Sequence, residues 1–154
     1  AEFIYFSDVV TKKIHKYSVK TKTFVMAFDN FDDGCNGLIF NKDYNLIVCG
    51  FKGGNIKERK TDETLVKTLF TEFEGNRFDN INDVCIDAKG GMYFTDPTRR
   101  NPPFQAKKSI YYITPKGKLT VADNKDYSFP NGVIDLHQQG QGQVENIKYQ
   151  QPEQ

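Results

Sequence analysis

The chain has 154 residues and a formal net charge of +1, from 21 Lys and Arg against 20 Asp and Glu, with 38% hydrophobic and 27% charged residues. This is the composition of one globular domain or of part of a larger one, and the balanced charge argues against a nucleic-acid binder held by phosphate contacts and against a polybasic membrane anchor. Phe (13) and Tyr (8) lead the apolar set with no Trp, and short Val/Ile/Thr runs are broken by Gly, Asn and Asp, which predicts a β-rich fold.

In chain order, residues 1–8 lack the basic start, long apolar centre and small-residue cleavage site of a secretory signal, so none is expected there. No apolar run approaches the ~20 residues of a membrane-spanning helix. Phe3-Ile4-Tyr5-Phe6-Ser7-Asp8 reads as a strand, and Ile14-His15-Lys16-Tyr17 as the next. Residues 36–40, 46–51, 55–60 and 65–73 form four predicted strands, with turns at Asn41-Lys42-Asp43-Tyr44 and Lys52-Gly53-Gly54. The pattern returns at 82–87, 92–96, 109–114 and 119–123, with turns at Lys89-Gly90-Gly91 and Pro115-Lys116-Gly117-Lys118. Pro102-Pro103 falls in a long loop between the second and third of these strands, where it breaks no ladder. Residues 131–134 open a further unit, and the pattern then fails.

The units repeat. Phe6, Val48 and Phe94 are spaced by 42 and 46 residues, and Asn36, Asn82 and Asn131 by 46 and 49. Four short antiparallel strands every ~40–45 residues are the signature of a β-propeller blade. The fold is therefore read as all-β, a partial propeller of about three four-stranded blades over residues 1–134. The first unit lacks its first strand. A closed propeller needs roughly 4–8 blades, so the chain reads as an excerpt, with an oligomer that completes the ring or a truncated gene product as the alternatives. Residues 135–154 are Gln-rich and are expected to be a disordered tail; their abrupt change of character supports truncation, as by a frameshift or a mis-spliced end. Open blade flanks predict self-association.

Chemistry-bearing residues are few. Cys35, Cys49 and Cys85 are odd in number and without CxxC spacing, which predicts reduced thiols packed in apolar stretches and a reducing, cytoplasmic setting. His15 and His137 have no His or Cys partner nearby in sequence. Asn36, Asn82 and Asn131 occupy one repeat position, at the start of the strand that lines a propeller's channel. A ring of amide oxygens with one or two carboxylates suits a hard cation, whereas Asn before Gly is equally a turn residue. Asp83 stands where the other two units have Gly and is read as a brace. Asp8 and Asp96 end second strands and are read as side chains closing their own turns. Arg99 and Arg100 lie in the long loop, where they are solvated or contact an anionic substrate. No GxSxG, HExxH or Ser/His/Asp arrangement is present, and neither Gly-Gly pair leads into a helix.

The stretch from Asn82-Asp83-Val84 through Asp87, Gly90-Gly91 and Tyr93-Phe94-Thr95-Asp96-Pro97 closely resembles the NDV…D..G..YFTDP signature of the SMP-30/gluconolactonase/luciferin-regenerating-enzyme-like family. Asn36-Gly37-Leu38 with Leu46-Ile47-Val48-Cys49, and Phe129-Pro130-Asn131-Gly132-Val133, resemble its NGL…L.VC and PNG segments. The resemblance covers residues 3–134. It implies a six-bladed propeller, hydrolysis of a lactone as the small-molecule substrate, and a divalent cation (Ca, Zn, Mn or Mg) in the central channel. Carried over by position, Asn82 and Asn131 would bind metal or substrate; Asn36, Asp83 and Arg99 join Asn82 as candidate substrate-binding residues on the reading of the residues themselves. The family's Glu ligand belongs upstream of Phe3, and its Asp, the proposed general base, beyond Ile134. The chain alone is therefore expected to be inactive. The alternative is a non-catalytic propeller module that binds a protein partner or a small ligand.

Overall fold

A computed structural model describes residues 2–28, 33–98 and 100–136. Arg99, His137 and the tail from 137 onward, which holds nearly all of the Gln-rich stretch, lie outside the described residues. The first sheet contains β1 (Phe3–Asp8), β2 (Lys13–Ser18) and β3 (Thr23–Phe28). The second contains β4 (Leu38–Phe40), β5 (Leu46–Gly50), β6 (Asn55–Arg59) and β7 (Leu65–Phe70). A small hairpin, β8 (Glu72–Phe73) with β9 (Asn76–Arg77), precedes the third sheet of β10 (Val84–Ile86), β11 (Met92–Asp96), β12 (Ser109–Ile113) and β13 (Leu119–Asp123). Every sheet is an antiparallel meander in sequence order, the blade pattern that the repeat predicts, and the first sheet begins on a second strand as expected.

One predicted strand is two elements. The expected fourth strand over 65–73 leaves its ladder at Phe70, and Glu72–Phe73 instead pairs with Asn76–Arg77. Glu74 and Gly75, at φ 51° and 80°, make that turn. Left-handed backbone is what two-residue hairpin loops require.

The sheets stack face to face. All five residues of β5 are buried. Leu46 and Val48 pack toward the first sheet with Ile14, Phe28 and Cys35. Ile47 and Cys49, on the opposite face, pack toward the third sheet with Phe78, Ile81, Val84, Phe94 and Tyr111. A strand covered on both faces reads as an uninterrupted apolar run, which is why Leu-Ile-Val-Cys carries no polar alternation. The second core is aromatic at its centre. Tyr111 stacks on Phe94 at 5.1 Å between centroids and meets Phe78 edge-on, also at 5.1 Å. Burying each of these rings contributes roughly 1.5–3 kcal/mol relative to exposure.

Turns after the first strands repeat as well. Asn41 Oδ1 accepts from Asp43 N and Asn45 N at 3.0 Å, and Asp87 Oδ1 accepts from Lys89 N and Gly91 N at 2.8 Å. In each case a short side chain holds the turn that aligns the next strand. At the inner edge of the stack, β4 lies against both β1 and β10, which brings the segments leading into successive blades side by side.

Candidate functional site at the blade lead-ins

Three lead-in segments, Asn36-Gly37, Asn82-Asp83 and Asn131-Gly132, converge. In both complete blades the lead-in is fastened to the second strand in the same way. Asn36 N donates to Cys49 O at 2.9 Å and Cys49 N to Gly37 O at 3.0 Å. One repeat later, Asn82 N donates to Thr95 O at 2.9 Å and Thr95 N to Asp83 O at 3.1 Å. The blades are then joined to one another by Gly37 N, which donates to Asn82 O at 2.7 Å. Thr95 Oγ1 continues the path, donating to Asn131 O at 2.6 Å and accepting from Asp83 N at 3.3 Å.

Asp83 sits between the two glycines. A Cβ on Gly37 would fall 2.5 Å from both Asp83 Cα and Asp83 Oδ1, and one on Gly132 would lie 3.7 Å from Asp83 Oδ2. That same Oδ2 accepts from Val133 N at 2.9 Å. The carboxylate therefore fastens the third lead-in, and Gly37 is required because the neighbouring backbone leaves no room for a side chain. Of the candidate residues, Asn36, Asn82, Asp83 and Asn131 are brought together, with Asn82 buried, Asn36 half-buried and Asn131 exposed. Arg99 lies outside the described residues.

The electrostatics at this end are negative. Burial, with the charge of Asp83, pushes the Cys49 thiol well above its ordinary range. Burial likewise pushes Cys85 up to about 11, with Asp135, Asp83 and Asp87 adding to the rise. All three cysteines are free and buried, so they are inert thiols and not nucleophiles, in line with the sequence reading.

The donor set tests the divalent cation implied by the resemblance. Among the described residues no three His, Cys, Asp or Glu side chains gather into a group able to hold a metal ion. Asp83 is already engaged by Val133 N, which leaves the neutral amides of Asn36, Asn82 and Asn131. Hard dications need carboxylate charge for useful affinity, so these residues do not form a complete cation site on their own.

A buried acidic pair elsewhere in the fold was not visible in the sequence. Asp79 and Asp96 are both buried. Asp96 accepts from Asp79 N at 3.1 Å and from Asn80 N at 2.7 Å. Asp79 accepts from Phe104 N at 3.0 Å and from Gln105 N at 3.1 Å, with Arg100 Nε 3.8 Å away. Burial pushes the Asp96 carboxyl up to about 6 against the pull of its two backbone donors, and the Asp79 charge adds to the rise. The pair clamps the long loop after β11 onto the segment before β10. Asp8 does close its own turn as read, accepting from Val10 N at 3.1 Å and Thr11 N at 3.2 Å. Asp96 does not, because a long loop and no tight turn follows it.

Residues 1–141 match the family described as SMP-30/Gluconolactonase/LRE-like region. Lactonase drp35 of Staphylococcus epidermidis is 28% identical over 138 residues, covering 84% of this chain and 40% of that protein. A gluconolactonase structure from Xanthomonas campestris superposes with a TM-score of 0.70 at 22% identity, over 79% of this chain and 43% of that one. Virginiamycin B lyase from Staphylococcus aureus gives a TM-score of 0.59 at 14% identity, over 82% and 39%. At these identities the structures establish the propeller fold alone, and the chain spans about 40% of the length of the curated relative it matches. With its family profile matched from residue 1 to 141 and its repeat folded into successive blades, the chain belongs to the SMP-30/gluconolactonase/LRE-like family.

Proposed function

We propose that this chain is part of a metal-dependent lactone hydrolase. Hydrolysis adds water to the lactone carbonyl carbon and breaks the ring C–O bond, leaving a hydroxy acid. In this reading Asn82 and Asn131 lend neutral oxygens to the cation site, and Asn36 and Asn82 offer amide groups to the substrate's oxygens. Asp83 holds the Asn131 lead-in in place, and Arg99 meets the negative charge of the product acid. The carboxylate ligands and the general base come from outside these three blades. The observation that carries the reading is the hydrogen-bonded path Gly37–Asn82–Thr95–Asn131, which keeps the three asparagine lead-ins adjacent in a chain whose curated relative is a lactonase.

The test is turnover of an aldonolactone with added Ca²⁺, Mn²⁺, Zn²⁺ or Mg²⁺. The 154-residue chain should show none above the metal-only background. A longer form that adds the remaining blades should be active, and Asn82→Ala and Asn131→Ala in that form should each weaken metal binding. Substantial metal-dependent turnover by the 154-residue chain would refute the shared-site reading, and an inactive longer form would refute the lactonase reading itself.

A further inference from the structure

The wedge between the second and third sheets is filled unevenly. Toward the lead-ins it is closed by the rings of Phe78, Phe94 and Tyr111. At the other end the turns after β4, β10 and β12 come together, and a cleft of about 530 Å³ stays open there. Ile47, Leu69 and Phe70 line it from the second sheet, and Ile86, Met92 and Ile113 from the third. Both walls are complete four-stranded sheets, so blades added on either flank pack elsewhere.

One buried charge stands in this wall. Glu58 on β6 is the ladder partner of Ile47 and lines the cleft beside it, with its side chain 9% exposed. Oε1 accepts from Asn41 Nδ2 and Asn45 Nδ2, both at 2.8 Å, and so fastens the turn after β4. Oε2 meets the Lys67 ammonium at 3.5 Å, a long contact from a side chain that is 61% exposed. Burial raises the carboxyl, but the two amides and Lys67 outweigh it and hold the group below the usual carboxylate range, so it is ionised.

The repeat separates this charge from the task of holding the turn. Ile39 pairs with Ile47 and Ile47 with Glu58, just as Cys85 pairs with Tyr93 and Tyr93 with Tyr112. Tyr112 therefore holds the place of Glu58 in the third sheet, and its hydroxyl donates to Asp87 at 2.7 Å. There a neutral phenol ties strand to turn, and the carboxylate sits out on the turn. The second sheet instead sets its carboxylate in an apolar wall with one oxygen weakly answered. A charge so placed is costly unless a cation lies against it.

We propose that the cleft binds an organic ammonium with an apolar body. The ammonium takes the place of Lys67 on Glu58 Oε2, and the body lies against Ile47, Ile86, Met92 and Ile113. The volume falls within the roughly 300–1,000 Å³ of small-molecule sites, and an apolar lining with one placed polar group is their usual make-up. Lys42 and Lys89 on the rim favour an anion instead, but both are exposed on turns, whereas Glu58 is desolvated and its charge acts more strongly. The cleft opens at the turn end of β4 and β10, and the asparagine lead-ins lie at the opposite end, so this site is distinct from the one proposed for the lactone. An inactive longer form that binds the amine upholds this site and overturns only the lactonase reading; an active one that ignores the amine does the reverse.

The test is calorimetric titration of the longer form with three probes of one shape: tryptamine, the neutral tryptophol and the anionic indole-3-propionate. Tryptamine should bind one to one and roughly 10-fold or more tightly than tryptophol, with indole-3-propionate weakest. Glu58→Gln keeps the Oε1 acceptor for both amides and should bring tryptamine within about threefold of tryptophol. Lys67→Met changes an exposed side chain and removes the competing ammonium, so tryptamine should bind about 2- to 5-fold more tightly. The Met92 methyl resonance, assigned with Met92→Leu, should shift under the indole ring. No binding of tryptamine, tighter binding of the anion, or a tryptamine affinity that Glu58→Gln leaves intact would each overturn the proposal. Should Glu58→Gln fail to fold, Lys67→Met decides: unchanged or weaker tryptamine binding overturns it.

Discussion

Thr95 Oγ1 donates a 2.6 Å hydrogen bond to the carbonyl oxygen of Asn131, 36 residues further along the chain. One hydroxyl thus joins the second strand of a blade to the lead-in of the next, while it accepts from Asp83 N. Thr95→Val keeps the shape and removes both bonds. We expect a loss of about 1–3 kcal/mol in urea unfolding, with Thr95→Ser retaining most of the stability. An unchanged midpoint for the valine variant would show that the third lead-in is held by Asp83 alone.

Gly37 and Gly132 look alike in sequence and should respond differently. A methyl group at Gly37 meets Asp83 Cα at 2.5 Å and Asn82 O at 2.8 Å, atoms that move only if the backbone moves. Gly37→Ala should cost about 1–3 kcal/mol, as overpacking does. At Gly132 the nearest atom is 3.7 Å away, an ordinary contact, so Gly132→Ala should melt within a degree or two of the parent, about 0.5 kcal/mol or less.

Asp96 gives a pH signature of opposite sign to that of the hydrogen-bonded carboxylates Asp87 and Glu58. Its folded value is raised to about 6 from 3.8, so the folded state holds the proton more tightly than the unfolded chain. The resulting stabilisation is fully present below about pH 4 and is lost as pH rises through about 6, a swing of about 3 kcal/mol. Asp87 and Glu58 are lowered in the fold and contribute stability that is lost as pH falls. Asp96→Asn isolates the effect: its stability relative to the parent should improve between pH 4.5 and pH 7.5. A constant difference across that interval would contradict the assignment.

Asp79 anchors the loop between β11 and β12 through Phe104 N and Gln105 N. Asp79→Ala leaves the Gln105 amide buried without its acceptor, a penalty of about 1–3 kcal/mol. Amides over residues 100–107 should exchange faster with solvent, and a protease should cut there first, while exchange in β5 slows or stays level.

The repeat made the blade architecture legible because a sheet buried on both faces writes long apolar runs, and Leu46-Ile47-Val48-Cys49 is one of them. The turns were legible because Asn41, Gly54, Gly90 and Gly117 follow local rules of backbone geometry. The β8–β9 hairpin was not, because Leu69-Phe70-Thr71-Glu72-Phe73 has strand character throughout, and only the Glu74-Gly75 turn marks the break. The adjacency of Asn36, Asn82 and Asn131 followed from the repeat. The part played by Thr95 and the Asp79–Asp96 clamp did not, since both depend on a partner's backbone far away in sequence, which periodicity cannot encode. Thr95 did carry one signal, its register with Cys49 in the preceding unit.

Because β5 is enclosed on both faces, the middle blade has no side on which sequence can drift freely. The outer strand β7 of that blade leaves Leu65 and Val66 in solvent. Variation among relatives should therefore accumulate at the rim and thin out toward the axis, so that the molecule diversifies from its circumference inward while its centre is inherited almost whole.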